Sequence, residues 1–437
     1  MKDLGVYNFY YDLVNRIVLP YKEVADTGIN IDLEEKARIT VLLEEELEKI
    51  NSSLTEKCGI KFNPRSPKQL TTVLYEDLKL PMQRSRDTGK PTGDKDAIKK
   101  ILKMSAGQPK LSRWVPFLET LLEFSSVAKL LSTYARAEVD PDGRIRTTYS
   151  VSGAETGRLA SHKAITETGA NLQNIPKGDV RKGCGFGIRS FFVPDNRDSV
   201  FIEGDLSGAD ARVVAWESRD PSLISIFNDP NRDIHIENAA MFYGVSIKDI
   251  TKDDKRRQIA KRCGHAANYG SGPRVLATDV GIAEAEAKRL LAVYHAAYPG
   301  VRQWQAGIQN QLRANRTLVT PLGRKRIFFG RWGDELFKEA YAYVPQSTVA
   351  DVIHLGFLAL YHRLQSEGLD KVGVRVALNI HDAIVCNTPN SLSDRVHEIM
   401  LECMSVPLKF SHGAYVIPVD FSLGPNWYEM KKVKHAV

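Results

Sequence analysis

Two aspartates interrupt apolar, β-branched runs, where a carboxylate is costly to keep. Asp205 closes the apolar part of FIEGDLSGADARVVA, just ahead of an amphipathic helix, and Asp382 breaks VALNIHDAIVCN between Ile380 and Ile384. A charge in such surroundings must be paired, hydrogen-bonded or metal-bound, because its desolvation is otherwise uncompensated. The fold must therefore bring compensation to both acids. If the two strands are neighbours, the pair could hold two Mg²⁺ ions roughly 3.5–4 Å apart, a spacing that activates an attacking oxygen and stabilises a leaving one. Taken singly, each aspartate reads first as a strand-end cap or a turn residue, and spacing alone does not show the pairing.

The rest of the chain predicts where these strands sit. Asp32 followed by Glu35 is a capping-box signature opening a helix to about Ile50, with apolar residues at helical spacing. Ser66-Pro67-Lys68-Gln69 opens a second helix, with Gln69 closing its box. The stretch 87–96 has the Gly, Pro and Asp content of an exposed loop, and 111–137 is helical again. Strand-like segments follow at 144–153, 198–208, 374–387 and 415–424, with a long helical region over about 209–365. Separated strands with helices between them predict an α+β architecture rather than a βαβ repeat.

Charge is unevenly placed. The net charge is only +7 over 437 residues, yet residues 84–113 hold nine bases against three acids, and residues 252–262 hold six bases against two. Residues 32–57 lean the other way, with eight acids and four bases. Five scattered cysteines without a C-x-x-C pair exclude a disulfide scaffold and fit a reducing compartment. No run reaches the roughly 18 apolar residues of a membrane span. These features predict a protein of the cytoplasm, or of the host cytoplasm if its origin is viral.

A third constellation lies in RRQIAKRCGHAANYGSG. Arg257, Lys261, His265 and Tyr269 recur every four residues, which places them on one helix face. Two cations, an imidazole and an aromatic ring suit a triphosphate and a stacked base. The same pattern reads equally as a solvated basic surface.

Taken in order, TGRLAS (156–161), NLQNIP (171–176), DLSGADARVVA (205–215), DIH (233–235), the Arg257/Lys261/Tyr269-Gly270 helix, PQSTVAD (345–351) and HD (381–382) resemble the motifs of family A DNA polymerases. That family comprises the bacterial DNA polymerase I type and its phage relatives, and the shape of 256–272 is phage-like. The resemblance runs from about residue 15 to residue 430.

It implies a right-hand polymerase fold with an antiparallel-sheet palm, helical fingers and a helical thumb. The implied division is a lead-in segment over 1–30, mainly thumb over 31–145, palm over 146–216, fingers over 217–340 and palm again over 341–437. The implied reaction is template-directed extension of a primer 3′ hydroxyl with dNTPs, releasing pyrophosphate. Asp205 and Asp382 stand at the positions of the metal ligands, with the Leu206 carbonyl as a further ligand for two Mg²⁺ ions, Mn²⁺ being a possible substitute. His235, Arg257, Lys261, His265, Tyr269 and Asp210 fall in the nucleotide site. Lys129, Ser132, Arg158, Asn171, Gln173, Gln346 and His381 fall where the family contacts primer and template. The implied partners are primer-template DNA and dNTPs, without a membrane, for a monomer whose replication accessory proteins the resemblance does not name.

Three positions depart from the family pattern. Ala383 replaces the Glu that usually follows the catalytic HD, Asp210 replaces a Glu that helps exclude the ribose 2′ hydroxyl, and His265 replaces a Phe or Tyr near the incoming sugar. The chain begins where the polymerase region begins, so no 3′→5′ proofreading is expected of it; Asp32-Leu33-Glu34 imitates an exonuclease D-x-E motif but falls in a helix cap. Two other readings remain. A single-subunit RNA polymerase shares the aspartates and the Arg/Lys/Tyr-Gly helix, and a catalytically idle primer-template binding protein would share the surface.

Overall fold

A computed structural model of the protein describes residues 5–105, 108–163, 168–181 and 183–433. The first four residues of the lead-in segment, residues 106–107 of the basic stretch, 164–167 and 182 of the first palm segment, and the last four residues lie outside it.

Half of the predicted Asp32–Glu35 capping box forms, since the Asp32 N–H donates to the Phe191 carbonyl at 2.9 Å instead of to the Glu35 side chain, which is taken by Arg38. The Asp32 carboxylate accepts from the Glu35 backbone N–H at 2.9 Å, and the helix it opens continues past Ile50, as Leu33–Cys58. Tertiary burial of Leu54 prolongs it, and Gly59 in the left-handed conformation ends it. At the second predicted start, Ser66 accepts from Gln69 N, but Gln69 Oε1 accepts from Asn63 N rather than closing the box on Ser66. Helix Val115–Leu130 packs on Leu33–Cys58, and with helix Lys95–Ser105 they share one core that includes Leu43, Ile101, Phe117 and Leu121.

The chemistry-bearing runs meet in a five-stranded antiparallel sheet. Its order is Lys431–Lys432, Val419–Gly424, Ser199–Leu206, Ala383–Pro389, Arg375–Ile380. The segment 374–387, predicted as one strand interrupted by an acid, is a hairpin instead. Ile380 pairs with Ala383, so His381 and Asp382 form its two-residue turn. The sequence alternates apolar residues on both sides of the turn, which hides the reversal. Pro418 likewise divides 415–424 into Gly413–Val416 and Val419–Gly424.

Helices Asn15–Thr27, Asp334–Ser366 and Ser393–Met404 cover one face of this sheet around a core of Ile202, Phe357, Ile384 and Met400. Tyr21 stacks on Phe357 with ring centroids 4.0 Å apart. A third core joins the helices between Ala209 and Tyr298. The hairpin Thr317–Val319/Lys325–Ile327 packs beside a fourth, with Phe328 and Tyr343 at its centre. All five cysteines are free thiols. Among the described residues, no helix is long and apolar enough to cross a membrane.

Candidate active site

Register brings the two aspartates together. Asp205 lies opposite Ala383 on the neighbouring strand, and the Leu206 N–H donates to the Asp382 carbonyl at 3.0 Å. The turn before Ala383 requires His381 in the left-handed region (φ 54°), where a non-glycine residue is uncommon. A cavity of about 240 Å³ opens here, lined by Asp205, His381, Asp382, Gln173, Lys177 and Glu203, among others. Burial, reinforced by the charge of Asp382, pushes the Asp205 carboxyl up to about 6, while Lys177 opposes the shift. Burial also raises Asp382 and lowers His381. Two half-buried carboxylates whose ionisation is resisted form a hard-oxygen site short of positive charge. Among the described residues no three acidic, His or Cys side chains converge on one ion. That donor set fits a cation bound through one or two carboxylates and completed by water and substrate phosphates, the habit of Mg²⁺.

Two residues of the cavity escaped the sequence reading. Lys177 Nζ lies 2.9 Å from Glu203 Oε1 and 3.3 Å from Asp205 Oδ2. Glu203 is buried, and its other oxygen accepts from Trp427 Nε1 at 3.0 Å. The Arg189 guanidinium lies 3.8 Å over the Trp427 ring and donates to the Ile175 carbonyl at 2.7 Å, tying the end of NLQNIP to the sheet. The available signal was Glu203 itself, since an acid two residues before Asp205 shares its strand face.

The basic helix is Lys255–Asn268, capped by Asp254. Arg257 donates to Asp233 Oδ2 at 2.7 Å, beside His235, whose imidazole is held down to about 4 by burial and by the nearby Lys261 and Arg257 charges. Lys261 and His265 are exposed. Tyr269 departs from the predicted shared face: it is the residue after the last helical one, and it is buried. Its ring meets the His265 ring edge-on at 4.4 Å, and burial holds its phenol well above the usual range. Gly270 follows in the left-handed conformation, where a Cβ would come within 2.9 Å of the Tyr341 ring.

Asp210 joins this helix to the TGRLAS segment. It accepts from Tyr269 Oη at 2.8 Å and from Arg158 at 3.1 and 3.2 Å. Gln346 stands alongside Tyr269. Gln173 is buried, with its amide 3.4 Å from the Asn379 carbonyl, and Asn171 accepts from Ser161 at 2.9 Å. Lys129 and Ser132 are exposed on a different helical segment and do not line the cavity.

The chain resembles known proteins over nearly its whole length. It is 30% identical over 442 residues to DNA polymerase I of Caldicellulosiruptor bescii, covering 98% of this chain and 48% of that protein. DNA polymerase I of Geobacillus stearothermophilus is 30% identical over 421 residues, covering 93% of this chain and 44% of the relative. The chain thus spans about half the length of these relatives. The polymerase domain of Pol1 from M. smegmatis, solved in complex with DNA primer-template and dNTP, superposes with a TM-score of 0.78 at 26% identity, covering 96% of this chain and 71% of that one. The fold is the right-hand polymerase fold, with an antiparallel sheet at its centre and helical layers around it. With residues 34–429 matching the model of DNA polymerase family A, the chain belongs to that family.

Proposed function

We propose that the chain is a template-directed DNA polymerase that extends a primer 3′ hydroxyl with dNTPs and releases pyrophosphate. The observation that carries this reading is the Leu206–Asp382 hydrogen bond, which locks Asp205 and Asp382 side by side at the mouth of a cavity. In this reading the 205–206 strand end and the 381–382 turn form the palm, the helices within 217–340 the fingers, and the helices within 31–145 mainly the thumb.

Asp205, Asp382 and the Leu206 carbonyl would hold two Mg²⁺ ions, which when bound supply charge neutralisation to the attacking and leaving oxygens. The residues of the chain do the positioning. Arg257 exchanges Asp233 for the triphosphate, Lys261 meets it from the next helical turn, and neutral His235 donates a hydrogen bond without adding charge. Tyr269 closes the insertion site over the template base, with His265 near the sugar. Arg158, Gln173, Gln346 and His381 face the primer-template end, while Asn171 supports that segment. Lys129 and Ser132 lie on the thumb path of the duplex. Phosphate contacts make DNA binding fall steeply with salt. The working unit is a monomer.

Primer extension in Mg²⁺ tests the reading. Wild type should extend with dNTPs in preference to NTPs, and Asp205→Ala or Asp382→Ala should abolish extension while still binding the duplex. Extension by the double variant, or binding without extension by the wild type in Mg²⁺ and Mn²⁺, would sink it.

A further inference from the structure

The metal site described above has two carboxylates, and one of them already touches a cation. Lys177 is 59% exposed and leaves a loop, whereas Glu203 is 8% exposed and clamped by the Trp427 indole. The ammonium is closer to Glu203, at 2.9 Å, than to Asp205, at 3.3 Å. One end of the bridge is therefore fixed and the other is free to open. Arg189, 3.9 Å from the same Glu203 carboxylate, helps hold that anchor in place. Ala383, opposite Asp205, contributes no side-chain oxygen that could outcompete the ammonium.

We propose that Lys177 is a tethered cation that competes with divalent metal for Asp205, and that Glu203 is the positioning residue that draws it aside. The proposal rests on the polymerase reading only for its metal site. In the metal-free chain Lys177 bridges both carboxylates. When a divalent cation occupies Asp205, the ammonium swings onto Glu203 alone, so Glu203 raises metal affinity without being a ligand. No bond is made or broken in this exchange.

The two partners must then act with opposite sign, which a merely structural pair would not do. Mn²⁺ binding to the metal-free protein, followed by electron paramagnetic resonance, reads the effect directly. Lys177→Met should tighten Mn²⁺ binding roughly two- to five-fold, the size expected for loss of a partly exposed ion pair. Glu203→Gln, which keeps an acceptor for Trp427, should weaken it by a similar factor. The double variant should match Lys177→Met, because Glu203 acts through the ammonium. Weaker or unchanged binding in Lys177→Met overturns the proposal. So does an equal loss on adding Glu203→Gln to the Lys177→Met background, which would mean that the carboxylate acts by its own charge. Lys177→Arg should bind as wild type. Should Glu203→Gln fail to fold by circular dichroism, the sign of Lys177→Met decides alone. The expected Mn²⁺ order in a protein that extends no primer would leave this proposal standing and remove the polymerase reading.

Discussion

The Tyr269 hydroxyl donates to the Asp210 carboxylate at 2.8 Å, so that the end of the basic helix is tied to the first turn of the helix that follows Asp205. Arg158 reaches the same carboxylate from the TGRLAS segment. Three segments distant in sequence meet at one acid, which joins two residues of the proposed nucleotide site, Asp210 and Tyr269, to Arg158 of the proposed primer-template contacts.

Asp210 therefore sets the position of Tyr269 and, in the proposed nucleotide site, would border the sugar. Asp210→Ala should relax discrimination against ribonucleotides by about ten-fold or more, since a lost hydrogen-bonded acid removes on the order of 1–3 kcal/mol of selective interaction. Single-nucleotide insertion with dNTP and rNTP substrates measures the ratio. An unchanged ratio would separate Asp210 from sugar selection.

Asp205 predicts a pH-dependent stability. Its folded-state value, about 6, lies above the ordinary 3.8, so the folded protein favours the protonated form. The resulting penalty is absent below about 3.8 and complete above about 6. In metal-free buffer Asp205→Asn should melt above wild type at pH 8, with the gap closing toward pH 4. Mg²⁺ should raise the melting temperature of wild type more than that of the variant. Differential scanning fluorimetry gives both comparisons; identical melting at pH 8 without metal counts against the assignment.

The buried pair Arg324–Asp351 holds PQSTVAD against TGRLAS. Asp351 is fully buried and accepts from Arg324 Nη2 at 2.7 Å and Nε at 3.0 Å. Asp351→Ala strands the guanidinium and should cost about 3–5 kcal/mol in chemical denaturation. Gly157→Ala should also destabilise, by about 1–3 kcal/mol, because its φ is +76° and a Cβ would stand 2.3 Å from Arg324 Cζ. Wild-type midpoints for both variants would mean that this contact contributes nothing.

His354 adds acid sensitivity behind the TGRLAS segment. Its Nε2–H donates to the Gly157 carbonyl at 2.8 Å, so Nδ1 accepts from Tyr21 Oη at 3.0 Å. Burial holds the imidazole down to about 4 from 6.5. The stability of the neutral form is thus complete above 6.5 and lost as pH falls toward 4. His354→Gln should flatten the loss of stability over that range. His235 and His295, also held to about 4, keep some slope in the variant. A variant curve parallel to wild type would exclude His354 as a source.

Local rules made much of this legible. The Asp32 cap, the Ser66 cap and the basic helix depend on neighbours within a few residues, and all three form where the sequence predicts. The ordered motifs pointed to the family for the same reason, since each is a short contiguous run. Hairpin reversal at His381-Asp382 was missed because alternation has the same period on both sides of a turn. Lys177 and Trp427 were missed because nothing near them in sequence relates them to Glu203.

The sequence by itself determined the identity of the acids, the cations and the elements that carry them, through short-range periodicity and capping. Tertiary structure alone decided that Asp205 and Asp382 line one cavity, that Lys177 bridges Glu203 and Asp205, and that Asp210 gathers Arg158 and Tyr269. Those relationships join residues 26 or more positions apart through strand register and helix packing, whose geometry is set by burial of the whole core rather than by any local pattern.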